Sequence, residues 1–278
     1  MKFGFVLPFG EARTAADYAY EAEQAGWDGF FVWEPVCGVD AWVSLSAAAM
    51  RTERIRLGTM LTPLSRMRPW KLASETATLD HLSGGRVILA VGLGAVDSGF
   101  AAFGEVTDRK TRAELLDEGL EILTRLWSGK PFSFEGKHYQ VDLKKITITA
   151  GLTPPVQQPR IPIWVVGAWP RWKSMQRALR YDGLLPNVME ANGRVRMGAP
   201  TPDEVRQMKA YVEVERGSET PFDIIVEGET PGEDKSRAAE IVGAYEEAGA
   251  TWWLESMWTE TVTEKVLGRI HQGPPTLK

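Results

Sequence analysis

Residues 69–94 read PWKLASETATLDHLSGGRVILAVGLG, and this stretch decides the fold. A segment of helical spacing runs from Pro69 to Leu82 and stops at Gly84-Gly85, where a left-handed cap residue is expected. An unbroken apolar run from Arg86 to Val91 follows, of strand length and without polar alternation, as in a parallel strand covered on both faces. Gly92-Leu93-Gly94 then exposes bare backbone at the strand's end, which is where α/β folds place ligands.

The same rhythm repeats along the chain. Strands are predicted at Phe3–Leu7, Gly29–Trp33, Ile55–Leu61, Arg86–Val91, Ile161–Val166, Gly183–Pro186, Phe222–Glu227 and Thr251–Glu255. Helical segments follow at Thr14–Ala25, Ala41–Met50, Pro69–Leu82, Lys110–Trp127, Trp172–Arg180, Pro202–Arg216, Lys235–Ala248 and Val262–Ile270. Eight alternating pairs predict an α/β chain folded as a (β/α)8 TIM barrel over residues 1–278, with a doubly wound open sheet as the alternative. Thr201-Pro202-Asp203-Glu204 marks one helix start, with a capping threonine, proline at the first helical position and early acidic residues. Gly26 and Gly249 mark two helix ends.

Two segments break the rhythm. Residues 128–160, between helix four and strand five, carry Glu135-Gly136-Lys137 and the proline-rich Pro154-Pro155-Val156-Gln157-Gln158-Pro159. They read as an inserted excursion with a short hairpin, either a cover for the site or a structural side arm. Residues 187–200 contain Asn192-Gly193 and Gly198-Ala199-Pro200 and read as a lid or a plain surface loop.

The 278 residues are 44% hydrophobic and 25% charged, ordinary values for a globular protein. A net charge of −5 offers no extended positive field, so nucleic acid is not an expected partner. No run approaches the ~18 apolar residues of a membrane helix. Cys37 is the only cysteine and the start Met1-Lys2-Phe3-Gly4-Phe5 lacks a signal-peptide core, so a cytoplasmic location is expected. Eleven tryptophans suit both core packing and a pocket for a flat ring.

His81, His138 and His271 have no ligand-like spacing, and no metal centre is expected. His81 falls in the last turn of a helix and reads as a C-terminal cap group. There is no Gly-x-Ser-x-Gly elbow, and Asp97 replaces the third glycine of a dinucleotide fingerprint. The strand ends, taken as one barrel face, offer Pro8-Phe9, Trp33-Glu34, Thr59-Met60, Gly92-Leu93-Gly94, Gly167-Ala168-Trp169, Pro186-Asn187, Glu227-Gly228-Glu229 and Glu255-Ser256. That face suits a planar, anionic cofactor. Trp169-Pro170-Arg171-Trp172-Lys173 brings backbone amides and two cations to a helix start, for a phosphate or for solvation of that start. The carboxylates Glu34, Glu227, Glu229 and Glu255 are candidates for orienting substrate or acting as acids.

These residues resemble the bacterial luciferase-like superfamily of barrel oxidoreductases. The resemblance is carried by Arg54–Thr59, Leu61–Leu64, Arg68–Ala73, Leu79–Arg86, Val91–Gly94, Pro162–Gly167, Asp182-Gly183 and Pro186. It implies a flavin- or deazaflavin-dependent enzyme that transfers hydride to or from a small organic substrate, with FMN or the deazaflavin coenzyme F-420. Alternatives are an FMN-dependent monooxygenase fed by a flavin reductase, and a flavin-binding protein without turnover.

The family's strand-three bulge, often with a non-prolyl cis peptide, would fall at Thr59-Met60 and support the ring. Gly92, Leu93 and Gly94 would line the ring, and Gly167, Ala168 and Trp169 would take the phosphate. Glu34-Pro35 stands where many deazaflavin-dependent alcohol oxidisers carry Asp-His, which argues against a histidine base and leaves Glu34 as the candidate catalytic residue. Ala95 and Val96 replace polar residues of some sugar-phosphate-oxidising members. A homodimer is a further expectation.

Overall fold

A computed structural model describes residues 1–145, 153–217 and 220–277. In chain order the elements are β1 (Lys2–Leu7), α1 (Ala12–Gln24), β2 (Gly29–Val32), α2 (Ala41–Arg51), β3 (Arg56–Thr59), β4 (Thr62–Pro63), α3 (Pro69–Ser83), β5 (Val87–Gly92) and α4 (Arg109–Trp127). A hairpin of β6 (Ser133–Glu135) and β7 (Gln140–Asp142) follows. The chain continues with β8 (Ile163–Trp169), α5 (Trp172–Ala178), β9 (Gly183–Val188), α6 (Pro202–Arg216), β10 (Asp223–Gly228), α7 (Lys235–Ala248), β11 (Trp252–Ser256) and α8 (Thr263–His271).

The hairpin apart, these strands pair in parallel in the order β3-β2-β1-β11-β10-β9-β8-β5-β4, and β5 also bonds β3, which closes the barrel. The third stave is not the continuous Ile55–Leu61 strand predicted. It is broken: β3 bonds the lower part of β5 through Leu57 and Gly58, while β4 bonds its upper part through Thr62 and Pro63. Between them the Met60–Leu61 peptide is cis, one residue beyond the Thr59-Met60 position expected. Closure depends on Gly58, because a Cβ there would stand 2.5 Å from the Ile88 carbonyl oxygen and 2.9 Å from the Phe31 ring.

Strand side chains alternate between two clusters. Outward residues such as Leu57, Leu89, Val165 and Val226 pack under the helices. Inward residues, including Phe31, Ile88, Ala90, Trp164, Ile225 and Trp252, fill the barrel. Phe31 stacks on Trp164 at 5.4 Å between ring centroids, and Trp252 meets Trp164 edge-on at 5.1 Å. These rings plug the lower barrel, so the upper end alone is left for a ligand.

The base, where the strands begin, is tied by side chains from the motif that carried the resemblance. Arg86 is buried and donates to the carbonyls of Ser83, Ile55, Ala49 and Thr52 and to the Thr52 hydroxyl, at 2.7–3.0 Å. Asp80 is fully buried and accepts from the backbone and side-chain nitrogens of Gln157. His81 does not act as a cap through its ring; Nε2 meets the Pro154 carbonyl at 2.8 Å. Leu79–Arg86 is thus a bracket at the barrel base, and the ligand end of the quoted stretch is Gly92–Gly94.

The described part of the excursion is a side arm. Glu118 of α4 accepts from the backbone N–H groups of Lys137, His138 and Tyr139, and Tyr139 packs edge-on against Trp70 of α3. Residues 146–152 of the excursion lie outside the described residues. The 187–200 segment is tied down by the Arg196–Glu204 pair at 2.6 Å, which joins it to the capping box that starts α6.

Replacing Arg86 by Met leaves several buried carbonyls without a donor, so we expect a loss of about 3 kcal/mol in urea unfolding. A loss below about 1 kcal/mol would show that the bracket is dispensable.

Candidate functional site

The upper ends of the strands form the barrel mouth. Continuing the alternation from Ala90, Val166 and Ile225 turns Gly92, Ala168 and Glu227 inward above the filled barrel. A Cβ on Gly92 would lie 3.0 Å from Val166 Cγ2 and 3.1 Å from Leu61 Cδ2, so the bare backbone lets Val166 of β8 and Leu61 of the bulge close over β5 as an apolar floor. Trp33 and Trp258 stand at the rim, 42% and 44% exposed.

Glu34 follows β2 and lies on the other side of the bulge. Thr62 lies beside its carboxyl; the Thr62 hydroxyl donates to Thr59 Oγ1 at 2.9 Å, and Thr59 in turn donates to the Ala90 carbonyl. Thr59 lies outward, since Leu57 belongs to the outer cluster and Gly58 faces Phe31. Arg66 approaches Glu34 at 3.7 Å and donates to the Pro35 carbonyl at 2.7 Å. Glu34 Oε2 and Arg66 Nε are buried and unpartnered. Burial pushes the Glu34 carboxyl up to about 7, with Asp40 and Glu75 adding to the rise and Thr62 and Arg66 opposing it.

The residues expected at the cofactor divide between two faces. Met60 packs with the inner cluster, as Leu61 does, and Gly92 and Ala168 face the mouth. Leu93 offers its carbonyl to Ser65 and to Arg112. Gly94, at φ +74°, packs between Phe100 and Pro63, where a Cβ would come within 2.7 Å of each. A Cβ on Gly167 would meet Leu184 at 2.2 Å, so this glycine seats neighbouring side chains on the outer face. Trp169 points outward onto Tyr211 of α6 at 5.7 Å. The Ala168 N–H is taken by the Ser174 hydroxyl at 3.0 Å. Glu255, 1% exposed, pairs with Arg269 at 3.2 Å and accepts from Thr230, which makes it a structural ion pair.

Arg112 escaped the sequence reading. It lies on α4, is buried and donates to the carbonyls of Leu93 and Gly94 at 2.9 and 3.0 Å, fixing the glycine turn. Nothing in the helical pattern marks it. Asn187, read from the sequence as a strand-end residue, follows the inward Leu185 in the alternation. Among the described residues no group of three or more His, Cys, Asp or Glu is placed to hold a metal, and no helix is long and apolar enough to cross a membrane. A cavity of about 370 Å³ between Lys209, Phe222 and Thr251 lies at the opposite end of the barrel, among the residues that precede β10 and β11.

A closed parallel barrel, plugged below by aromatic rings and lined at its upper mouth by apolar residues, defines a (β/α)8 protein. The chain belongs to the luciferase-like monooxygenase family, whose model matches residues 1–240. It is similar to the F-420-dependent glucose-6-phosphate dehydrogenase of Amycolatopsis mediterranei (strain U-32), 32% identical over 168 residues, 57% of this chain and 48% of that protein. The enzyme of the same name from Kineococcus radiotolerans is 34% identical over 135 residues, 45% of this chain and 40% of that one. The chain spans about half the length of the curated relatives it matches.

Among solved structures, a monooxygenase from Streptomyces bottropensis is similar with a TM-score of 0.67 and 25% identity, over 89% of this chain and 77% of that one. The coenzyme F-420-dependent tetrahydromethanopterin reductase of Methanopyrus kandleri shares the fold, with a TM-score of 0.75 at 18% identity over 98% of both chains.

Two outcomes follow from the geometry. Between pH 4.5 and about 7 the folded state keeps a proton on Glu34 that the unfolded chain has released, so this group lowers stability as pH rises through that window. Glu34→Gln removes the effect. The variant should gain on the wild type between pH 5 and 8, by at most about 3 kcal/mol in denaturant titrations, and a flat difference would count against the raised carboxyl. Gly92→Ala should press on Leu61 and Val166 and weaken coenzyme binding at least several-fold, with a melting change of a few degrees.

Proposed function

We propose that the chain is an oxidoreductase that moves hydride between a flavin-type ring and a small apolar or conjugated organic substrate, with F-420 the first coenzyme and FMN the second. The observation that carries the reading is the floor of Leu61, Gly92 and Val166 at the mouth of a barrel whose family match spans residues 1–240. When bound, such a ring supplies the hydride chemistry, and the protein supplies the seat and its electrostatics.

In this reading Leu61, Gly92 and Val166 lie beneath the ring, and Arg112 holds the Leu93-Gly94 turn beside it. Glu34 acts as a positioning group: it draws Arg66 in behind the bulge, which the bonds from Thr62 through Thr59 to Ala90 brace. Trp33 and Trp258 flank the entrance and displace water from it. Arg171 and Lys173, at the start of α5, are the cations for an anionic coenzyme tail. The exposed Val96, next to Ala95, favours an uncharged substrate over the sugar phosphate of the named relatives.

An FMN-dependent monooxygenase supplied by a partner reductase is the second reading, favoured by the likeness to the Streptomyces bottropensis monooxygenase. Titration of the protein with F-420 and with FMN, followed by coenzyme fluorescence, should show saturable binding of at least one at micromolar concentration. Binding of neither would overturn the proposal. Loss of the reduced coenzyme only when oxygen is present would favour the monooxygenase.

A further inference from the structure

β10 carries a carboxyl into the mouth that the bracing of the bulge does not use. Ile225 belongs to the inner cluster and Val226 to the outer, so Glu227 turns inward; its register partner on β11 is Leu254, itself in the inner cluster. Carrying the β10–β9 register upward from Asp223–Gly183 and Ile224–Leu184 sets Glu227 level with Asn187. Glu227 Oε2 accepts from the Trp258 indole N–H at 3.3 Å, and that tryptophan stands at the rim.

Two of the other carboxylates near the strand ends have cations, Glu255 with Arg269 and Glu34 with Arg66, and Glu229 is exposed to solvent. No lysine or arginine among the described residues lies within ion-pair distance of Glu227. Burial is the main influence on it and raises its pKa; the Trp258 bond opposes this, and no charged neighbour contributes. A carboxyl of this kind keeps its proton to higher pH than an exposed one and is suited to exchange it.

We propose that Glu227 is the proton-exchanging catalytic residue of this site, acting on a carbonyl or conjugated carbonyl substrate, with Trp258 as the positioning residue that holds Oε2 and leaves Oε1 toward the substrate. The assignment rests on the oxidoreductase reading. In the reductive direction a hydride supplied by the reduced coenzyme forms the new C–H bond. The C=O π pair becomes the O–H bond with the proton from Glu227, or, in a conjugated substrate, the enolate takes that proton. The Glu227 carboxylate then regains a proton from solvent. In the oxidative direction Glu227 accepts the hydroxyl proton, the O–H pair becomes the C=O π bond, and the hydride passes from the same carbon to the oxidised coenzyme.

The test has a part that needs no turnover. Carbon-13 NMR of the protein labelled at glutamate carboxyl carbons should show a resonance titrating above the ordinary range. It should be absent in Glu227→Gln, retained in Glu34→Gln, and moved to still higher pH in Trp258→Phe, which removes a bond that favours the carboxylate. A Glu227 resonance with an ordinary midpoint would overturn the assignment.

The second part follows reduced F-420 and reduced FMN with menadione and 2-cyclohexen-1-one as acceptors. Glu227→Gln should lower kcat about a hundredfold with little change in KM, while coenzyme binding and the native circular dichroism spectrum stay as in the wild type. Wild-type rates in Glu227→Gln would overturn the proposal. Failure of the wild type to use either acceptor with either coenzyme would instead overturn the oxidoreductase reading, and the assignment with it.

Discussion

The barrel closes because one residue has no side chain. At Gly58 the strand approaches β5 so nearly that the carbonyl of Ile88 and the ring of Phe31 occupy the place of a Cβ. With β3 so close, β5 serves two partners in succession, β3 below and β4 above, and the chain between them is pushed out as the bulge at Met60–Leu61. The floor of the mouth, the brace of Thr59, Thr62 and Glu34, and the inward turn of Leu61 all depend on that division. Phe31, pinned by Gly58, is also a member of the aromatic plug that seals the barrel below.

The two ends of the barrel solve different problems with similar residue types. At the base, Arg86 and Asp80 are saturated with partners, which suits a rigid join between helices and strands. Near the mouth, Glu34 Oε2 and Arg66 Nε are buried with a bond left unmade, and Glu227 has an indole in place of a cation. Unfilled bonding capacity is costly in a core and is most often retained where a ligand or a proton has to be met.

The helices and strands were legible because their signals are local. α6 has the predicted bounds, since Thr201-Pro202 and Gly217 state its ends in sequence, and α7 is bounded by Asp234 and Gly249 in the same way. The break in the third stave was only partly legible, because the residues from Ile55 to Leu61 read locally as one strand and the close approach of β3 to β5 sets the interruption. The glycines mark the limit most clearly. Gly92, Gly94 and Gly167 look alike as bare backbone, yet one opens the floor, one packs a loop and one seats an outer contact. Composition names the residue but not the side of the strand it serves. Glu227 and Glu255 stood as equal candidates in the sequence, and only the structure separates the carboxyl that follows Ile225 on the inner face from Glu255 in its outer ion pair.

The excursion after α4 has a practical consequence. Its described contacts run to α4 through Glu118, to Trp70 of α3, to the Met67 carbonyl and to the base through Gln157 and Pro154. Glu118 holds the turn around Lys137 through backbone N–H groups, and Gly136 beside it has no room for a side chain, since a Cβ there would stand 2.3 Å from Glu118 Oε2. The Lys137 side chain is exposed and adds a surface pair with Glu114, so position 137 tolerates exchange. It gives an engineer a fixed, outward-facing point on which to mount a dye or an affinity handle.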